Sequence, residues 1–246
     1  MLTDPTAAVL VIGNEILSGK VDDQNARYLI GELRALGVSL RRIEMIPDVV
    51  EDIAQTVRKL SAAVDHVFTS GGVGPTHDDV TLQAVAAAFD MPIARNAELE
   101  GLMRARWGES LHARDLRMAD IPAGARLERG PAGTGATWPV VVVRNVWVLP
   151  GVPGIFRRKF EAVRELFRAA PIHGRALYSR ADEAEIAGAL DETVAKFPGV
   201  DVGSYPQSDP GPHRVKVTFD SRDRTAVDAA LAFLVDRLGD AVAKID

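Results

Sequence analysis

Short apolar runs alternate with segments of helical periodicity over roughly the first 170 residues of the chain. Ala7–Ile12 is apolar at every position, which is typical of a strand buried on both faces of a parallel sheet. Leu29, Leu33 and Leu36 then recur at helical spacing, and Gly37 follows them as an expected C-terminal cap. Because strands that alternate with helices form parallel sheets covered on both sides, the pattern predicts a three-layer α/β/α unit with a mainly parallel sheet.

A different order of elements begins after Pro171–Gly174. Two predicted strands follow each other here without a helix between them, which indicates a small carboxyl-terminal α+β unit. We therefore expect two domains, residues 1–170 and residues 171–246. Near the end of the first domain, Val140–Val143 and Val146–Leu149 are predicted to pair as a hairpin or to form two strands at a sheet edge.

Composition excludes several classes of protein. The chain carries 29 Lys and Arg against 34 Asp and Glu, and this negative balance argues against a general nucleic-acid binder. It has no cysteine, which removes disulfides, thiol catalysis and zinc ribbons, and its histidines form no metal-spaced pair. No apolar run approaches the ~20 residues of a membrane span, and no leader is recognisable. We therefore expect a cytoplasmic protein with a small-molecule site and no membrane partner.

The segment Ser70–Thr81, with the sequence SGGVGPTHDDVT, is the most informative motif. It follows a predicted strand and opens a predicted helix, and Gly71, Gly72 and Gly74 can adopt backbone angles that direct successive N–H groups into one concavity. The positive end of the next helix would add to the attraction for an anion. The alternative is a tight turn in which Asp79 only caps the helix. The P-loop pattern GxxxxGK[ST] and the dinucleotide pattern GxGxxG are both missing.

Adjacent carboxylates follow these glycines. Asp78 and Asp79 would repel a bound phosphate unless a cation lay between them, and Mg²⁺ binds both carboxylates and phosphate oxygens. Glu15 follows the first predicted strand and could be a third metal ligand or a general base. Asp48 and Glu51 form a D-x-x-E capping pattern, with a role for Asp48 in the site as the second option.

The loops after the predicted strands supply the other candidate residues, because ligands of parallel sheets bind outside the carboxyl ends of the strands. Asp22–Asn25 is expected to cap the first helix, and Arg157–Lys159 could meet an anion or form a solvated helical face. Thr134, which lies between two glycines, could approach the ligand or belong to a flexible loop. The candidate phosphate- or nucleotide-binding residues are Gly13, Asn25, Ser70, Gly71, Gly72, Gly74, Thr76, Thr134, Pro150 and Gly151.

The motifs GGVGPTHDDVT, GNEILSG and LPGVP together resemble the molybdopterin-binding (MoaB/Mog) domain family. Within that family the chain is similar to the amino-terminal domain of CinA and to the molybdopterin-binding-like domain of eukaryotic FAD synthase. The likeness continues through VRNVWVLPGVP and into DEAEIA, GSYP and RVKVTFDS, and so covers nearly the whole chain. It implies the molybdopterin-binding-like fold.

The resemblance also implies site residues and activities. The family's phosphate-binding loop falls on the three glycines, and its acidic metal or catalytic positions fall on Asp79, Asp78, Asp48 and Glu15. Relatives of the CinA and FAD-synthase type are associated with metal-dependent cleavage of nucleotide pyrophosphates such as FAD or ADP-ribose, and Mog-type relatives adenylylate molybdopterin. The resemblance thus implies a divalent cation (Mg²⁺ or Co²⁺), no certain organic cofactor, a nucleotide or pterin ligand, and a homo-oligomer.

Some positions depart from the family pattern. Gly154 stands where relatives commonly have Glu, and Asp22 and Asp23 stand where CinA-type chains often have Asn-Thr. Neither a deamidase-like domain nor a flavin-adenylylating domain is recognisable, so synthesis of FAD is not expected. Three hypotheses follow: a metal-dependent nucleotide pyrophosphatase, a non-catalytic pterin- or nucleotide-binding module, and a molybdopterin adenylyltransferase.

Overall fold

The computed structural model describes residues 4–130, 138–207 and 211–246. The chain forms two compact units, Met1–Ala169 and Ala170–Asp246. No helix in the described ranges is both long and apolar enough to cross a membrane.

The first unit contains strands and helices that alternate for most of its length. In chain order its elements are β1 (Thr6–Ile12), α1 (Asn14–Leu17), α2 (Asn25–Ala35), β2 (Ser39–Ile46), α3 (Val50–Ala63), β3 (His66–Ser70), α4 (Thr81–Ala88), β4 (Ile93–Arg95), α5 (Ala97–Trp107), β5 (Asp120–Pro122), β6 (Arg126–Glu128), β7 (Val140–Val143), β8 (Val146–Leu149) and α6 (Pro153–Val163).

The main sheet of this unit has the strand order β2-β1-β3-β8-β7-β6. The first four of these strands are parallel, and β7 pairs antiparallel with both β8 and β6. The predicted hairpin of β7 and β8 is confirmed. A separate two-stranded sheet joins β4 and β5, which the sequence analysis did not predict because each has only three residues.

Both faces of the sheet are covered by helices. Leu10 on one face of β1 packs in the same cluster as Ile53 of α3, and Val9 on the other face packs with Leu29 of α2 and Phe160 of α6. The residues of β1 from Ala7 to Ile12 are buried on both sides, as their continuous apolar run predicts. The predicted three-layer α/β/α fold with a mainly parallel sheet is therefore confirmed.

Local hydrogen bonds explain the helix ends of this unit and correct one prediction. Gly37 has a φ of 76°, its N–H donates to the carbonyl of Arg34, and the Val38 N–H donates to the carbonyl of Leu33, which is the expected glycine cap of α2. The Asp23 carboxylate accepts from the first amides of α2, as expected. The Asp48 capping prediction was wrong: α3 has no side-chain cap, and Asp48 accepts a hydrogen bond from the Asn14 N–H at the start of α1.

The second unit contains β9 (His173–Ser179), α7 (Glu183–Lys196), β10 (Asp201–Pro206), β11 (Val215–Ser221), α8 (Arg224–Leu238) and β12 (Val242–Ile245). Its antiparallel sheet has the order β10-β11-β9-β12. One sheet face packs against both helices through Leu177, Val217, Ile186 and Leu234. The predicted small α+β unit is confirmed, although the last strand was not predicted from the sequence.

Candidate functional site

Three loops meet where the parallel strands β1, β3 and β8 end. Because these strands are neighbours in the sheet, the residues that follow Ile12, Ser70 and Leu149 lie along one rim. A Cβ added at Gly151 would lie 3.3 Å from the Cα of Gly71, so the Pro-Gly turn and the glycine loop are in backbone contact. Ligands of parallel sheets bind outside the carboxyl ends of the strands, so this rim is the expected ligand-binding side of the sheet.

Asn25, at the start of α2, connects two of these loops. Its side-chain amide nitrogen donates to Ser70 Oγ at 2.9 Å and to the Gly151 carbonyl at 2.7 Å, and the residue is 3% exposed. Its Oδ1 is buried without a hydrogen-bond partner in the described part of the chain. Asn25 therefore holds β3 and the turn after β8 together and leaves one acceptor for a ligand or a water molecule.

We expect Asn25→Ala to lower the free energy of unfolding by about 2–3 kcal/mol, because two buried hydrogen-bond acceptors lose their donor. Asn25→Asp, which has nearly the same shape, should cost more, about 3–5 kcal/mol, because its carboxylate cannot donate to the Gly151 carbonyl. Urea unfolding of both variants measures the effect. An Asp variant as stable as the wild type would show that donation by the amide is not what connects the loops.

The glycine loop needs its glycines for steric reasons. Gly71 has a φ of 110°, and a Cβ there would lie 2.1 Å from the Ile12 carbonyl oxygen. Gly72 has a φ of 65°, and a Cβ there would lie 2.3 Å from Thr81 Oγ1. The Thr81 hydroxyl is itself fixed, because it is buried and donates to the Gly71 carbonyl at 2.8 Å. The loop is therefore packed tightly against β1 and against the first turn of α4.

Residues with unpaired backbone N–H groups line a small cavity beside the glycine loop. The amides of Gly72, Val73 and Gly74 donate to no acceptor among the described residues, and α4 begins without a side-chain cap. Such N–H groups together with a helix N-terminus attract an anion. The cavity has a volume of about 80 Å³ and is lined by Gly72, Val73, Gly74, Asp79, Leu82, Gln83, Ile93, Arg117 and Asp120.

The two adjacent carboxylates of the loop share a single hydroxyl. Thr76 Oγ1 lies within hydrogen-bond distance of both Asp78 Oδ1 and Asp79 Oδ2, and the Thr76 N–H also donates to Asp79 Oδ2 at 2.8 Å. The hydroxyl lowers the pKa of Asp78 below its usual value. Because one hydroxyl has one proton, Thr76 Oγ1 can donate to only one of the two carboxylates at a time. The alternative in which Asp79 caps α4 was wrong, since Asp79 binds Thr76 instead.

Asp78 borders a second, open cleft of about 600 Å³. Three carboxylates line it, and the Asp48 carboxylate accepts from the Asn14 N–H at 2.8 Å. The Glu15 carboxylate folds back over its own loop, since a Cβ at Gly13 would lie 2.7 Å from both of its oxygens. The lining residues are Asn14, Glu15, Leu17, Ser18, Lys20, Asp48 and Asp78.

The predicted acidic residues are thus divided between two cavities. Glu15, Asp48 and Asp78 line the open cleft, whereas Asp79 lines the small one. In the described ranges no three His, Asp or Glu side chains are placed to hold a metal ion. The described residues therefore do not place Asp78, Asp79 and Glu15 as one protein-built metal centre.

The remaining candidates are Thr134 and the basic run on α6. Thr134 lies outside the described residues. Of the basic run on α6, the Arg157 guanidinium lies 5.3 Å from the centre of the Tyr28 ring, and the Lys159 amine donates to the Pro139 carbonyl at 2.6 Å. Burial lowers the pKa of Lys159 to about 8. Lys159 is therefore not part of a solvated helical face.

Because of Lys159, the stability of the folded chain should rise with pH between pH 8 and pH 10. Below pH 8 Lys159 is charged in both folded and unfolded chains and its burial is unfavourable; as the pH rises from 8 towards 10, only the unfolded chain keeps the proton, so folding is favoured. We expect the free energy of unfolding to gain about 1–2 kcal/mol over this interval from Lys159.

The measurement is urea unfolding at pH 8 and pH 10, in parallel for the wild type and Lys159→Met. The gain should be missing in the variant. The measurement stops at pH 10 because Tyr28 lowers the stability of the folded chain at higher pH. Burial raises the pKa of Tyr28 to about 12, so above pH 10 the unfolded chain loses the tyrosine proton first and folding becomes less favourable. An equal gain in the free energy of unfolding for the wild type and Lys159→Met would contradict the assignment of this pH dependence to Lys159.

Sequence reasoning missed several residues that line the small cavity, among them Arg117, Gln83 and Asp120. Arg117 donates to the Thr76 carbonyl at 3.3 Å and lines the small cavity with Gln83, and Lys20 lines the open cleft. No local motif marks Arg117, which is 41 residues away from Thr76 in the chain. Only the packing of the segment before β5 against the glycine loop brings it there.

Comparison with known proteins agrees with the fold and the motifs. Residues 8–169 match the family described as the probable molybdopterin binding domain, and residues 171–245 match the middle domain of FAD synthase. A protein of Archaeoglobus fulgidus is 34% identical over 235 residues, covering 94% of this chain and 97% of that protein. A probable FAD synthase of Caenorhabditis elegans is 32% identical over 265 residues, covering 95% of this chain and 50% of that protein.

A solved structure is similar as well. The protein CinA of Thermoplasma acidophilum, described as having unknown function, superposes with a TM-score of 0.59 at 29% identity, covering 67% of this chain and 99% of that one. The fold, the glycine loop and these matches define an α/β domain of the molybdopterin-binding class. The chain belongs to the molybdopterin-binding (MoaB/Mog) domain family. It spans about half the length of the curated FAD synthases that it matches.

Proposed function

We propose that this chain binds a nucleotide diphosphate at the glycine loop and hydrolyses its pyrophosphate bond with the help of a divalent cation. The observation that supports this best is that Gly72–Gly74, whose N–H groups have no acceptor among the described residues, line one small cavity together with Leu82 and Gln83 of the first turn of α4. FAD and ADP-ribose are the substrate types favoured by the family resemblance. Such substrates fit the cytoplasmic location expected from the sequence.

The small cavity suits one phosphate group rather than a whole nucleotide, since complete ligand sites usually have at least about 300 Å³. Backbone N–H groups and the end of the helix would bind its oxygens, and the Arg117 guanidinium at the cavity wall would supply the positive charge. The rest of the ligand would extend towards the open cleft of about 600 Å³.

A cation that arrives with the substrate fits the acidic residues better than a resident one. Mg²⁺ commonly binds one or two carboxylates, with substrate phosphates and water completing its shell. Asp78 and Glu15, which both line the open cleft, would hold it. When bound, the cation would neutralise phosphate charge and make a coordinated water more acidic.

The roles of the protein groups follow from their surroundings. The lowered pKa of Asp78 keeps it charged at neutral pH, which suits a ligand of a cation more than a general base. Asp79 and Thr76 would fix the loop so that the N–H groups stay directed at the phosphate. Water would attack one phosphorus atom, the bridging P–O bond would break, and the two phosphate products would leave with the proton going to solvent.

Incubation of the protein with FAD or ADP-ribose and Mg²⁺ or Co²⁺ tests this proposal, with AMP as the measured product. We expect AMP from the wild type and none above background from Asp79→Ala. In the described part of the chain no three carboxylates are placed to hold a metal ion together, which favours one other candidate, a binding module without chemistry. Tight ligand binding without AMP would support that module, and transfer of adenylate from ATP to molybdopterin would support the adenylyltransferase.

A further inference from the structure

The first residues of β7 lie at the same rim as the glycine loop. β7 runs antiparallel to β8, with Val141 opposite Val148, so β7 starts next to the place where β8 ends. β8 in turn ends beside β3, since Leu149 pairs with Ser70. Trp138 precedes β7 by two residues. It therefore lies at the rim where the parallel strands end, on the expected ligand-binding side of the sheet.

Two tryptophans form a pair at this point. The ring centres of Trp107 and Trp138 are 5.6 Å apart, and the ring planes are inclined by 57°. Trp138 is partly buried against the core cluster that covers the α3 and α4 side of the sheet. Trp107 is 39% exposed, which is a large fraction for a side chain that is highly buried on average. The pair thus joins one ring fixed in the core to a second ring that is open to solvent.

The exposed ring belongs to a rigid part of the backbone. Trp107 is the last residue of α5, and Leu99 and Met103 of this helix are 1% and 0% exposed. Gly108 follows with a φ of 50°, and its N–H donates to the Arg104 carbonyl where the helix ends. Side chains on helices are positioned more precisely than those on loops, so Trp107 is suited to a ligand contact of defined geometry.

The spacing of the strands places this pair within reach of the glycine loop. Only β8 separates β3 from β7, so the two positions on the rim are two strand spacings apart, about 10 Å. The turn after β8 lies between them, and its exposed Gly151 has no side chain to block the way. Leu82 of the small cavity packs against the same core cluster as Trp138, so the cavity and the pair are on one side of the sheet.

We propose that Trp107 stacks on the adenine ring of the substrate and, with Trp138 behind it, forms a base-binding subsite. This inference rests on the proposed nucleotide site and adds the recognition of the base. A pyrophosphate carries one group at each end. With the adenosine phosphate in the small cavity, the adenine reaches Trp107 and the other half of the substrate fills the open cleft.

The chemistry of the subsite fits adenine. This ring is the planar group that FAD and ADP-ribose have in common, and a base can stack on an indole ring without any polar contact. A ligand with a phosphate but no base gains nothing from Trp107. The residue therefore determines whether the site prefers nucleotides to sugar phosphates.

AMP and ribose 5-phosphate are the matched probes, because they differ only in the adenine ring. Neither has a pyrophosphate bond, so calorimetric titration with Mg²⁺ present measures binding without turnover. We expect the wild type to bind AMP at least about ten-fold more tightly than ribose 5-phosphate. Trp107→Leu should weaken AMP binding about ten-fold or more and leave ribose 5-phosphate binding unchanged. Trp107→Phe, which keeps an aromatic ring, should bind AMP within about three-fold of the wild type.

Tyr205→Leu is the control variant, since it removes an exposed aromatic ring of the second unit and should change neither affinity. Equal affinity of the wild type for the two probes, or unchanged AMP binding in Trp107→Leu, would overturn the proposal. Weaker binding of ribose 5-phosphate by Trp107→Leu would overturn it as well, because the effect would then not depend on the base. If Trp107→Leu weakens FMN binding but not AMP binding, the subsite does not hold adenine.

These outcomes are separate from those of the proposed hydrolysis. AMP release from ADP-ribose together with equal affinity for the two probes would remove only the stacking, whereas base-dependent affinity without AMP release would remove only the hydrolysis. Should Trp107→Leu fail to fold, the tryptophan fluorescence of the wild type decides instead. AMP should quench it and ribose 5-phosphate should not, and an equal response to both probes would contradict the stacking.

Discussion

Asp78→Asn should reduce the rate of AMP release at least about 100-fold while leaving the fold unchanged. The Asp78 side chain is exposed, and its hydrogen bond within the protein comes from the Thr76 hydroxyl, which an amide oxygen can also accept. The substitution therefore removes charge and little else. Because the cleft would bind its cation through that charge, the apparent Kd for Mg²⁺ should rise together with the loss of rate.

The pH dependence of the wild type follows from the same carboxylate. Its pKa lies below the usual value of 3.8, so the charge persists throughout the neutral range and is lost only as the pH falls through the lowered pKa. Cation affinity contributed by Asp78 should thus be constant between pH 5 and pH 8, as measured by titration with Mg²⁺. Asp236→Asn, which removes an exposed carboxylate of the second unit, is the matched control. Activity of Asp78→Asn within three-fold of the wild type would remove Asp78 from the mechanism.

Features that depend on neighbours in the sequence could be predicted without a structure. The apolar run of β1 and the Gly37 cap involve residues only a few positions apart, and both are as expected. The location of the glycine loop between β3 and α4 also follows from the local pattern. In each case the interactions that decide the conformation lie within one strand, helix or turn.

Contacts between distant residues could not be predicted in this way. The D-x-x-E pattern at Asp48 suggested a cap, but the adjacency of β1 and β2 offers Asp48 the free N–H of Asn14, 34 residues earlier. Asp78 and Asp79 are adjacent in the sequence and both contact Thr76, yet Asp78 lines the open cleft and Asp79 lines the small cavity. Short-range capping competes with such tertiary partners, and the sequence alone does not decide which one is formed.

The fold of the second unit illustrates a different limit. Its two helices and three of its strands are marked by clear periodicity, and α7 has the D-x-x-E capping box, formed by Asp182 and Glu185. The last strand, Val242–Ile245, has only four residues and no buried one. It forms because β9 offers an open edge for pairing, which is a property of the assembled sheet rather than of the segment.

Gly72→Ala should abolish measurable nucleotide binding and lower the free energy of unfolding by about 2–4 kcal/mol. A left-handed backbone with a φ of 65° is unfavourable for alanine, and the added Cβ would lie 2.3 Å from Thr81 Oγ1. The hydroxyl cannot turn away without losing its 2.8 Å hydrogen bond to the Gly71 carbonyl. The loop must shift instead, and its N–H groups then no longer surround the small cavity. Urea unfolding and calorimetric titration with ADP-ribose measure the two effects.

A second substitution tests whether the steric clash is the cause. In Gly72→Ala/Thr81→Ala the opposing hydroxyl is gone, so the double variant should be more stable than the sum of the single effects predicts. Gly31→Ala is the matched control, because no atom lies within 4 Å of its added Cβ and a helical alanine should raise stability by about 0.5–1 kcal/mol. If the free-energy changes of Gly72→Ala and Thr81→Ala simply add in the double variant, the clash with the Thr81 hydroxyl is relieved elsewhere. Retained binding by Gly72→Ala would mean that the phosphate is not held by this loop, because the N–H groups around the cavity cannot keep their positions once the loop has moved.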